Sequence, residues 1–203
     1  MKKKVNTKIQ KKLDNIIKLK SELENWKKLS EEEVLKYVKE FEKTPRDEGS
    51  SFYDEYFNDS KFADILIDIA KVHSKNQKTV INIVSALGNM MWRYKLPETD
   101  AIYQLMIDNS QQKGIAPYVA IYLPAMNMFK DFQDKWGYYM SIKKMSPKKI
   151  AESEFLDIIE DKLKDIPSGY KKDVIDFLEN KIQRSNSDYS KNRYSEMIES
   201  INS

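Results

Sequence analysis

Residues 62–90, FADILIDIAKVHSKNQKTVINIVSALGNM, decide the fold class. Phe62, Ile65, Leu66 and Ile69 recur at helical spacing and lay one apolar stripe along a helix. The polar run Ser74-Lys75-Asn76-Gln77-Lys78 breaks that pattern. A second stripe follows, Val80, Ile83, Val84 and Leu87, which Met91 and Tyr94 extend. Asp59 or Ser60 can cap the first helix, and Leu96-Pro97 stops the second. Two apolar helices joined by so short a polar break predict an antiparallel pair.

The same grammar recurs downstream, in AIYQLMIDNSQQKGIAPYVAIYLPAMNMF (101–129) and FLDIIEDKLKDIPSGYKKDVIDFLENKI (155–182). Thr99 or Asp100 starts the second pair, with Ile102, Leu105 and Met106 on its first helix, and Gly114 breaks it. The helix after Gly114 is apolar on nearly every side, which predicts central burial, and Pro124 should kink it. Ser146-Pro147 places a proline at the first turn of the third pair. A last segment, 188–201, carries Tyr194, Met197 and Ile201. The spacing of the pair starts is close to the HEAT and armadillo period. The expected fold is all-α: antiparallel helix pairs stacked as a HEAT-like α-solenoid, or an irregular helical bundle, behind an N-terminal helical arm. Residues 60–203 form the expected helical-repeat body.

Upstream, residues 1–44 read as a charged helical hairpin. Ile9, Leu13, Ile16, Leu23 and Trp26 make one stripe. Ser30 with Glu33 is a capping-box pair that starts a second helix bearing Val34, Leu35, Val38 and Phe41. Thr44-Pro45 should end that helix. Residues 45–59 form an acidic-aromatic connector: Asp47, Glu48, Asp54, Glu55 and Asp59 oppose only Arg46, and Phe52, Tyr53, Tyr56 and Phe57 are interleaved with them. A loop and one short helix are expected there.

Composition narrows the chemistry. Cysteine is absent, so no disulfide, thiolate metal site or cysteine nucleophile can form. Five Gly and six Pro in 203 residues are too few for an all-β chain rich in turns. The basic N-terminus lacks the apolar run of a signal peptide, and no stretch reaches the length of a membrane span. The chain therefore reads as cytoplasmic, with no membrane partner. A formal net charge of +3 does not by itself demand a polyanionic partner.

His73 is the only histidine, which leaves no Ser-His triad or HExxH motif, and its place at a helix end suits the helix dipole. No GxGxxG, GxxxxGK[ST] or GxSxG sequence occurs. Asp64 and Asp68 sit one turn apart, as solvated helix faces in so charged a chain often place them. Gly88 inside a helix predicts close approach of a neighbouring helix. No catalytic residue, metal or cofactor is expected.

At the level of paired helices, residues 60–184 resemble HEAT-like α-solenoids. Some small proteins of that kind are DNA glycosylases with an Asp beside Trp and Arg; Trp92-Arg93 is similar, but no suitably placed acid follows it, so no activity is implied. A small, Lys- and Asn-rich, cysteine-free helical chain is also similar to bacterial immunity proteins, which neutralise a cognate toxin by covering it. The expected function is a non-enzymatic protein-binding module, an inhibitor or immunity protein whose single protein partner is a toxin with a basic surface. The expected contact residues are Asp54, Glu55, Tyr56, Asp59, Trp92, Arg93, Tyr118, Tyr122 and Trp136, because acids steer association and Trp, Tyr and Arg anchor interfaces. The alternative is a nucleic-acid-binding helical-repeat protein using Lys143, Lys144, Lys148 and Lys149, with the Lys2–Lys4 and Lys11-Lys12 clusters as weaker candidates.

Overall fold

The computed structural model describes residues 7–203. Among them are eleven α-helices and no strand, the all-α class read from the sequence. The Lys2–Lys4 cluster lies outside the described residues. The chain divides into two compact units, the first ending at Lys130 and the second running from Asp131 to Ser203. That division falls inside the segment expected as one body, 60–203, and the N-terminal hairpin and connector belong to the first unit.

The first unit holds α1 (Thr7–Glu24), α2 (Glu31–Asp47), α3 (Asp54–Phe57), α4 (Ser60–Val72), α5 (Gln77–Tyr94), α6 (Asp100–Asn109) and α7 (Ala116–Tyr122). Helix α1 packs on α2 and α4, α2 on α5, α4 on α5 and α6, and α7 on α5 and α6. Three hairpins thus lie side by side in two layers, α1-α4-α6 and α2-α5-α7. The seam between α2 and α5 is the most extensive of these contacts.

Local chemistry explains the helix ends. The Ser30 hydroxyl accepts from the Glu33 amide at 3.3 Å while the Glu33 carboxylate accepts from the Ser30 amide at 2.8 Å. Both halves of the capping box are therefore made. Helix α2 does not stop at Thr44 as expected; it runs through Pro45 to Asp47. Pro45 lies in the last turn and is buried, and the Glu48 amide still closes on the Thr44 carbonyl at 3.0 Å, so the proline removes one bond without breaking the turn. Helix α5 ends at Lys95, which takes the left-handed conformation (φ 57°), and the Leu96 amide reaches back to the Met90 carbonyl at 3.1 Å. His73 caps the end of α4, its ring edge-on to Trp26 at 5.8 Å.

Helix α5 is the centre of the first unit. Val80, Ile83, Val84, Ala86, Leu87 and Met90 are all buried. Each fully buried large aliphatic side chain contributes roughly 1.5–3 kcal/mol. The connector adds to this core. It forms a 3-10 turn, Ser51–Tyr53, and the short α3, and it turns Tyr53 and Phe57 inward. Phe57 sits 5.5 Å from Phe41 and 4.7 Å from Tyr94, ring centre to ring centre, and Phe41 lies 5.0 Å from Phe62. Pro124 ends α7 rather than kinking it; a 3-10 turn, Leu123–Ala125, follows directly.

The second unit holds α8 (Lys135–Ile142), α9 (Lys148–Asp161), α10 (Ser168–Arg184) and α11 (Asp188–Asn202). The expected pairing of α9 with α10 is made through side chains, the Phe155 and Phe177 rings 4.9 Å apart. The more extensive packing joins α8 to α9 and α10 to α11. Helices α10 and α11 bury Val174, Leu178, Met197 and Ile201, so the last helix belongs to the core of this unit.

At Gly88 there is no room for a larger residue between α5 and α7: a Cβ at this position would overlap the ring of Tyr122. On propensity alone, Gly88→Ala would favour the helix by about 1 kcal/mol. Overpacking reverses the sign, and a net loss of about 1–3 kcal/mol is expected in urea denaturation.

Candidate functional site

Four residues of α5, Ser85, Gly88, Asn89 and Trp92, stand at i, i+3, i+4 and i+7 and so share a face. That face meets a carboxylate of α2 and a tyrosine of α7. The Ser85 hydroxyl donates to Glu42 at 2.6 Å, and Arg46, one turn along α2, donates to the same carboxylate at 2.9 Å. The Asn89 amide donates to the Tyr122 hydroxyl at 2.9 Å, and that hydroxyl lies 3.5 Å from the Ser85 oxygen. Gly88 leaves room for the Tyr122 ring, and the indole of Trp92 packs on it at 4.8 Å.

The Glu42 side chain is 1% exposed. A buried carboxylate is tolerated when charge and hydrogen bonds offset its lost hydration, and Arg46 and Ser85 supply both. The network is a clamp. It fixes Tyr122, and Tyr122 supports Trp92, which stays 52% exposed. Arg46, itself half exposed, also donates to Asp47 at 2.8 Å, and that contact raises the pKa of the guanidinium. Asp47 is held below the usual carboxylate range mainly by Arg46, with a smaller contribution from Arg93. Trp92, Arg93, Arg46 and Asp47 thus lie at one edge of the α2-α5-α7 layer.

The expected contact residues divide into three groups. Trp92, Arg93 and Tyr122 are brought together, with Tyr118 half-buried one turn before Tyr122 on α7. Asp54 and Glu55 are exposed on α3 and form no ion pair among the described residues. The short α3 packs against α5. There the Tyr94 hydroxyl, pushed up to about 12 by burial first and by neighbouring charges that include Asp54, donates to the Glu48 carbonyl at 2.5 Å. Tyr56 is half-buried; burial first, then Glu55, raises its pKa.

Asp59 and Trp136 are placed elsewhere. Asp59 caps α4, accepting from the Phe62 amide at 3.1 Å, and pairs with Lys20 of α1 at 2.6 Å. The Lys20 ammonium also donates to the Tyr56 carbonyl at 3.0 Å. Trp136 belongs to the second unit, 5.4 Å from Tyr139 and 6.4 Å from Tyr170 between ring centres. Two further acids of the connector are partnered, Asp47 with Arg46 and Glu48 with Lys12. Asp64 and Asp68 are exposed.

Sequence reasoning passed over Glu42, Ser85 and Asn89. Glu42 had a signal: it falls four residues after Val38 and three before Pro45, within the apolar stripe of α2. Among the described residues no group of three or more His, Asp or Glu is placed to hold a metal ion, and no helix is long and apolar enough to cross a membrane. Comparison with protein-family models, curated proteins and solved structures returned no match.

Asp59 makes a testable point about stability. Burial raises its pKa, but Lys20 and the Phe62 amide outweigh that and hold it below its ordinary value. A depressed folded-state pKa stabilises the fold above the unfolded value of about 3.9 and stops doing so as pH falls through the folded value. Asp59→Ala is expected to cost about 1–2 kcal/mol at neutral pH by urea denaturation. The gap to the unsubstituted chain should narrow below the unfolded-state pKa.

Proposed function

We propose that this chain is a non-enzymatic protein-binding module of the inhibitor or immunity type, docking one protein partner at the Trp92 edge of the first unit. The observation that carries the reading is an exposed tryptophan whose position is fixed from beneath. Trp92 rests on Tyr122, which is held by Asn89 and accommodated by Gly88. A large aromatic side chain that is already ordered loses little entropy on binding, and Trp and Arg are the residues enriched at interface hot spots. Arg93 stands beside it.

Asp54 and Glu55 on α3 give the partner its chemistry: a basic surface, as on a toxin that acts on nucleic acid. Unpaired exposed acids steer such a partner, raising the association rate more than they slow dissociation. Asp59, committed to Lys20 and to the start of α4, has no part in this surface.

The protein encoded beside this chain's own gene is the partner to test. Trp92→Ala should keep the fold and weaken that complex by at least about 2 kcal/mol in calorimetry. An unchanged affinity would remove Trp92 as the anchor. Asp54→Lys with Glu55→Lys should slow association and flatten its dependence on salt, while dissociation changes little. Stopped-flow rates that are the same for both chains would eliminate the steering role.

A further inference from the structure

The second unit carries a groove of about 370 Å³ between the α8–α9 turn and α10, and five cations line it: Lys143, Lys144, Lys148, Lys181 and Arg184. Three acids line it as well, Glu152, Asp173 and Asp176, which leaves a local excess of positive charge. The pairing within the groove is uneven. Glu152 takes both Lys181, at 2.7 Å, and Lys148, at 3.4 Å. Asp176 is taken by Lys172, at 2.6 Å, from outside the lining. Lys144 and Arg184 form no ion pair among the described residues.

Lys143 is the unusual member. Its ammonium lies 5.6 Å from the centre of the Phe155 ring, and its hydrogen bond is a long one, 3.3 Å to the Asp173 carbonyl. Burial lowers its pKa, with Lys144 acting in the same direction and Asp173 and Asp176 opposing them. A half-buried ammonium without a carboxylate in contact is a cost to the fold. Such costs are retained where a ligand is to be bound. Lys148 and Lys149 occupy the first turn of α9, whose N-cap Pro147 makes no side-chain hydrogen bond, and cations at a helix N-terminus oppose the helix dipole.

We propose that this groove is a binding site for a compact phosphate-bearing anion, gripped by Lys143, Lys144 and Arg184. A nucleic-acid backbone fits less well. A polymer tracks an extended basic face, whereas residues 131–203 carry thirteen Lys and Arg against fourteen Asp and Glu. The groove lining holds five cations against three acids, and the rest of residues 131–203 hold eight against eleven, so the excess of positive charge is local to the groove.

The test uses the full chain with inorganic pyrophosphate as probe, followed by calorimetry at low ionic strength and by the Nζ resonance of Lys143. Saturable binding of one pyrophosphate per chain is expected, with a shift of the Lys143 signal. Lys144→Gln with Arg184→Gln, both exposed, should weaken it at least about tenfold. Absence of saturable binding, equal binding by that variant, or tighter binding of a single-stranded oligonucleotide with a steep salt dependence would overturn the proposal. Lys143→Met keeps the bulk and removes the charge. It should abolish binding and leave the urea midpoint unchanged or higher, whereas a lower midpoint would show that Lys143 serves the fold instead.

Discussion

A carboxylate sealed between two helices sets the geometry of the first unit. Glu42 lies on the buried face of α2, and only Arg46 and Ser85 stand between it and a large desolvation cost. Both donors are fixed by their helices: Arg46 is one turn along α2 and Ser85 lies on α5. An apolar seam can slide by a turn with modest loss, because hydrophobic contact has no direction. A seam with a buried charge in it slides less freely: Arg46 travels with α2, but any other register costs the carboxylate its hydrogen bond from Ser85 of α5. The α2–α5 contact is therefore specified by one polar group and stabilised by the apolar residues around it.

The consequences run outward along one face of α5. Ser85 sets the register, Gly88 admits the Tyr122 ring, Asn89 holds its hydroxyl, and Trp92 packs on top. Each step is a turn or less from the previous one, so a constraint at the buried end reaches the exposed end without a flexible link. In the second unit, by contrast, a poorly satisfied charge lines an open groove. Glu42 has its partners; Lys143 has a carbonyl and an aromatic face. Satisfied buried charge fixes structure, and poorly satisfied charge is available to a ligand.

Helical class and caps were legible in the sequence because each depends on neighbours within a turn or two; close approach at Gly88 was legible from a glycine inside a helix, though not its partner, Tyr122 of α7. Ser30 with Glu33 is such a signal, and so is Asp59 before α4. Pairing between distant segments was less legible. The stripe of α10 gives its apolar face but not whether α9 or α11 covers it. The connector was hard to read for a related reason: nothing in its local pattern separates Tyr53 and Phe57, one turn apart and both in the core, from the half-buried Tyr56 between them. The clamp was hidden because its members, Glu42, Ser85, Asn89 and Tyr122, come from three helices, and no spacing rule joins them.

The connector also shows why local net charge overstates a surface field. Of its five acids, Asp47, Glu48 and Asp59 each have a cation within ion-pair distance, and two of those cations, Lys12 and Lys20, come from α1, far away in sequence. What remains is Asp54 and Glu55, adjacent on one short helix. Their field is screened over about 8–10 Å at physiological salt, so the proposed steering would act on a partner already near α3. Two exposed charges at that range influence how quickly a basic surface arrives and in what orientation. They add little to how long it stays, because both remain hydrated at the rim. For the proposed partner, residence would then come from desolvated apolar contact, for which the first unit offers Trp92, half exposed and packed on Tyr122.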